Sequence, residues 1–171
     1  MIYHFKITSQ ESENFILELE LDGNATFFDL HSAIQKYSGF EHHHLASFFL
    51  SKDGRVKAKE ISMLDVGIND GAYLIMQKTL LSDILKSKKQ KVLYTFDFFN
   101  DRSFFIELTE IDMVKNLGEP LVAHQQGDTP LQVLEEEKDQ QASPKLQEEE
   151  VLMDFGILDD YNELFGEMED F

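Results

Sequence analysis

The chain has 171 residues, is 42% hydrophobic with fifteen Phe, and carries a net charge of −18 from 33 acids and 15 Lys or Arg. Residues 131–171 hold fourteen acids against two lysines, or −12, and residues 1–130 hold nineteen against thirteen, or −6; such a field repels nucleic acid and anionic membranes and attracts basic protein surfaces. With no cysteine, disulfides, thiolate catalysis and zinc-finger or iron–sulfur ligation are excluded.

Ile2–Thr8 and Phe15–Leu21 alternate with period two, which predicts two half-buried strands joined by the polar turn Ser9–Asn14. Thr26 and Asp29 have capping-box spacing; Phe27, Leu30, Ile34 and Tyr37 then form one helical stripe that Gly39 is placed to end. A short strand is expected at Ser47–Ser51, a turn at Asp53-Gly54, and further strands near Arg55–Ala58 and over Ala72–Lys78. Thr79–Lys86 reads as a short helix with Leu81, Ile84 and Leu85 as its apolar face. Val92–Phe98 and Ser103–Ile111 form the strongest hairpin, turning at Asn100-Asp101. After Pro120 the pattern weakens to an extended arm ending near Pro130.

This layout predicts an α+β fold with a mostly antiparallel, mixed sheet, one main helix packed on it and a β-grasp-like N-terminal half. Residues 1–130 are expected to form the domain and 131–150 an acidic linker too poor in apolar residues to repay the entropy of ordering. Residues 151–171 are expected to form an interaction tail. No stretch nears the roughly twenty apolar residues of a membrane span. The start MIYHFKI lacks the basic and apolar regions of a secretory signal, so the expected location is cytoplasmic, with no membrane contact.

Three ordered stretches, TFFDLHSAIQKYSGF (26–40), HHLASFF (43–49) and VLYTFDFFNDRSFFIELTEI (92–111), resemble the plasmid pRiA-type ORF-three-like family of small bacterial α+β proteins. The matching positions are Thr26, Phe27, Asp29, Leu30, His31, His44, Leu45, Tyr94, Asp97, Phe98 and Asp101. The resemblance covers about residues 1–130 and implies the fold and a plasmid or mobile-element context, but no activity. Departures fall on polar positions: Asn100 replaces a turn glycine, and Ser103-Phe104-Phe105 replaces a tryptophan and histidine after it.

His42-His43-His44 invites a metal, yet ligands must converge on one ion. Consecutive side chains project differently and at most two would share an ion unaided, so no metal and no cofactor is expected. His31 as a general base would need a carboxylate such as Asp97 or Asp101 and a pocket; a hydrogen bond to a backbone carbonyl at the core edge is the favoured reading. Asp97, Asn100 and Asp101 read as turn chemistry. Two arginines, Arg55 and Arg102, are too few for a serine-recombinase site. Lys86, Lys88, Lys89 and Lys91 read as a solvated basic patch. No phosphate-cradling loop, dinucleotide fingerprint or nucleophile elbow is present, and no enzyme activity is expected.

The segment VLMDFGILDDYNELFGEMEDF (151–171) threads large apolar residues through acids, a pattern of interaction segments. Phe155, Leu158, Tyr161, Leu164, Phe165, Met168 and Phe171 are the expected partner contacts, and Leu158, Tyr161, Leu164 and Phe165 share helix-face spacing. Its tip, MEDF, resembles the acidic terminus of bacterial single-stranded-DNA-binding proteins. The expected partner is a protein with a basic or apolar groove, with no direct nucleic acid binding. The competing readings are a nucleic-acid-processing accessory, either a resolvase-related factor or a DNA mimic, and a tail that simply completes the domain's surface.

Overall fold

In the computed structural model the described residues are 1–67 and 71–134. The expected linker beyond residue 134 and the tail contacts Phe155, Leu158, Tyr161, Leu164, Phe165, Met168 and Phe171 lie outside them.

The alternating segments form strands β1 (Ile2–Ser9), β2 (Ile16–Asp22), β3 (Ser47–Ser51), β4 (Glu60–Ser62), β5 (Tyr73–Ile75), β6 (Lys91–Asp97), β7 (Arg102–Asp112) and β8 (Leu121–Gln126). The main helix is α1 (Phe27–Ser38), and a single turn, α2, spans Leu81–Ile84. All eight strands join one sheet in the order β5-β4-β3-β6-β7-β1-β2-β8. Every pairing is antiparallel except β4 with β5, so the fold is α+β with a mixed sheet and one main helix.

The helix begins where the sequence places it. Thr26 Oγ1 accepts from the Asp29 amide at 3.1 Å, and the Asp29 carboxylate accepts from the Thr26 amide at 2.8 Å, so two otherwise orphaned donors are satisfied. Gly39 stops the helix at φ 70°, the left-handed region open to glycine. Phe27, Leu30 and Ile34 are wholly buried with Tyr3, Phe5, Leu17, Leu19, Phe48, Tyr94 and Phe104. Phe104 is the hub of an aromatic cluster, with ring centroids 5.2 Å from Phe15, 5.6 Å from Phe40 and 4.8 Å from Phe96. Such packing contributes beyond area burial alone.

Two expected strands are displaced. Arg55–Ala58 is loop, because the Asp53 carboxylate collects the Arg55 and Val56 amides at 2.8 and 2.9 Å and curls the chain; the strand that pairs with the outer edge of β3 is β4, the other edge being taken by β6. Of Ala72–Lys78, only Tyr73–Ile75 is strand, and Met76–Lys78 closes as a 3₁₀ turn. The arm after Pro120 is β8, paired with β2 at the sheet edge. The hairpin β6–β7 enters the sheet between β1 and β3.

Candidate functional site

The motif positions fall on the N-cap and first turns of α1, on the loop that follows the helix, and on β6 with its turn into β7. His31, buried on α1, lies with Nδ1 2.8 Å from the Tyr94 hydroxyl on β6. Its partner is therefore a phenol, not the backbone carbonyl or the Asp97 or Asp101 carboxylate considered from sequence. Burial, with the neighbouring His42, pushes the His31 pKa down to about 4, which leaves the imidazole neutral and able to accept the phenol proton. Burial raises the pKa of Tyr94. Gln35, also buried, continues the chain outward, with Oε1 2.8 Å from His42 Nδ1.

Asp97 and Arg102 close the β6–β7 turn. Asp97 accepts from the Asn100 amide at 3.1 Å and from its side chain at 3.0 Å. Burial would raise the Asp97 pKa; the bonds from Asn100 and Arg102 outweigh it, and the net shift is downward. Arg102, nine-tenths buried, forks onto Glu11 at 2.7 and 2.9 Å and reaches Asp97 at 3.4 Å. It also donates to the Leu131 and Gln132 carbonyls, and its guanidinium lies over the Phe96 ring. Asp101, in the left-handed region at φ 51°, pairs with Lys57 instead. This arginine clasp went unread in the sequence, since its partners Glu11 and Leu131 lie 91 and 29 residues away.

Gln132 then reaches the loop after α1. Its Oε1 accepts the Glu41 amide at 2.6 Å and its Nε2 donates to the Glu41 carbonyl at 2.9 Å. On that loop the three histidines separate: His42 turns to Gln35, while His43 and His44 face the Glu41 carboxylate.

Two apolar motif residues leave the core. Leu45 and Phe98 are 51% and 47% exposed, and with Met63 and Leu64 they line an open hollow of about 260 Å³. A second open groove, of about 460 Å³, is lined by Lys6, Arg55, Lys91, Asp53, Glu107 and Phe105, among others. Its positive charge is tempered, because Lys6 lies opposite Glu18 and Glu107 across the sheet and Lys91 opposite Glu107. Of the lysines read as a patch, Lys91 thus joins this groove, while Lys86 donates to the Ser82 carbonyl. No helix among the described residues is long and apolar enough to cross a membrane.

A family model described as plasmid pRiA4b ORF-3-like protein matches residues 1–150. Among solved structures, MM3350 from Methanosarcina mazei Go1, a protein of unknown function, is similar with a TM-score of 0.59 and 24% identity. The match covers 72% of this chain and 68% of that one, and at this identity the likeness is one of fold. No curated protein matches.

Proposed function

We propose that this chain, which belongs to the plasmid pRiA4b ORF-3-like protein family, is a non-enzymatic binding module that engages a protein partner. The observation that carries the reading is the exposure of Leu45 and Phe98, which form one apolar hollow with Met63 and Leu64. Clustered apolar side chains in water are a cost that a binding partner removes. The polar motif residues support the same view: His31 is bonded to Tyr94, Asp97 to Asn100 and Arg102, and Asp101 to Lys57.

The partner would present an apolar side chain to the hollow and a basic or apolar groove to the acidic segment 151–171. In that segment Phe155, Leu158, Tyr161, Leu164, Phe165, Met168 and Phe171 supply the contact, and the acids set encounter rate and partner choice. The reading places the protein in the cytoplasm and in a plasmid or mobile-element process.

The test is cross-linked affinity capture with the full chain and with Phe98→Ser, Phe165→Ala and Phe171→Ala variants. Burying one Phe contributes about 1.5–3 kcal/mol, so each variant should weaken capture of the same partner by about tenfold or more. A single Glu→Gln in 151–171 should alter little beyond salt sensitivity. Capture unchanged in all three Phe variants would overturn the proposal. The second reading, a nucleic-acid-processing accessory, is favoured by Lys6, Arg55 and Lys91 around one groove; it requires salt-sensitive DNA binding that an Arg55→Ala change diminishes.

A further inference from the structure

We propose that Glu41, His43 and His44 form a divalent-metal site of the zinc class, with two imidazoles and one carboxylate as protein ligands. This departs from the sequence expectation of no metal and is independent of the partner-binding reading. Glu41 Oε2 lies 3.2 Å from His43 Nε2 and 3.5 Å from His44 Nε2. Ligands held about 2.0–2.2 Å from a tetrahedral zinc stand about 3.3 Å apart, so two edges of that tetrahedron are already set. All three ligand atoms fall within 4.8 Å of one another, and the remaining edge closes by rotation of His43, whose side chain is 71% exposed.

The donor set is the one that borderline cations select: neutral nitrogen with one hard oxygen. Three protein ligands leave a fourth position open to water. The carboxylate is carried on a fixed backbone, because the Gln132 side chain bonds both the amide and the carbonyl of Glu41. The two histidine rings, with centroids 4.3 Å apart and planes 36° from parallel, approach the carboxylate together. Only His42 is drawn elsewhere, to Gln35. A net charge of −18 also raises the local concentration of divalent cations.

Full-length protein free of any histidine tag, stripped with chelator, is titrated with zinc by calorimetry in the presence of a competing chromophoric chelator. One zinc per chain is expected above the weak background of the acidic segment. Cobalt should give the visible bands of a four-coordinate, mixed nitrogen–oxygen site. His43→Gln and His44→Gln remove direct ligands, so each should weaken zinc by at least the roughly tenfold that outer-shell changes cause, while His124→Gln should leave it unchanged. Zinc should raise the melting temperature of the wild type but not of the double His43→Gln, His44→Gln variant, whose metal-free melt checks that it folds. Retained zinc affinity in the double variant, or no uptake by the wild type at micromolar zinc, would overturn the site.

Discussion

Burying His31 against Tyr94 ties the stability of the fold to pH. Its pKa falls from an ordinary 6.5 to about 4, so between those values the unfolded chain binds a proton that the folded chain refuses. Stability then rises with pH across that window and is lost as pH falls from about 6.5 towards 4. Denaturant melts across the window should show this slope, and His31→Gln, which keeps a polar partner for the Tyr94 hydroxyl, should flatten it. An identical slope in the variant would place the proton uptake elsewhere. The Asp97 carboxylate acts in a lower range: its pKa is depressed, so its contribution is present above the ordinary carboxylate value and fades below it. Its partner Arg102 offers a sharper perturbation. Arg102→Met strips the donor from Glu11, from buried Asp97 and from the Leu131 and Gln132 carbonyls. The denaturation midpoint should drop by the equivalent of about 2–4 kcal/mol. Arg102→Lys should recover only part, because a single ammonium cannot reproduce the fork.

Among the elements, β8 depends on one glycine. Gly127 sits at φ +76°, and a Cβ there would meet the Asn14 carbonyl oxygen at 2.2 Å. Gly127→Ala therefore combines backbone strain of about 1–3 kcal/mol with a clash against main chain that cannot swing aside. The amides of Leu121–Gln126 should exchange with solvent faster while those of β1 and β7 stay protected; uniform loosening would show that β8 is not a separable edge. β1, β2, the capped helix and the β6–β7 hairpin were legible in the sequence because each declares itself within a dozen residues, through alternation, Thr26 with Asp29, or a turn. The strand near Arg55–Ala58 was misplaced because Asp53 gathers its own loop amides, and the strand on the outer edge of β3, Glu60–Ser62, is too short to display a period. The grouping of Glu41 with His43 and His44 was hidden for another reason: the backbone that presents Glu41 is held by Gln132, 91 residues away.

For the molecule as a whole, the boundary of the folded unit follows from the clasp rather than from composition. The first compact unit runs Met1–Gln132, and its last two residues supply the carbonyls that Arg102 holds and the amide that brackets Glu41. A chain ending at Leu134 should melt cooperatively. One ending at Pro130 should still fold but melt lower, since it loses those bonds at about 1 kcal/mol each. Equal melting of the two would mean that the Leu131–Gln132 contacts contribute nothing to stability. A molten chain ending at Leu134 would assign part of the core to residues beyond it.

The pairing of β1 with β7 runs from Ile2 opposite Asp112 to Ser9 opposite Phe104, so this inner seam of the sheet joins residues roughly a hundred positions apart. On the ribosome, at about 5–20 residues per second, β1 waits some 5–20 s for its neighbour to be made. Through that interval the β1–β2 hairpin and the helix stand with one sheet edge open, and closing so distant a seam is intrinsically slow. Chaperone demand should therefore peak before residue 112 emerges, and in refolding followed by hydrogen exchange the amides along the β1–β7 seam should gain protection last.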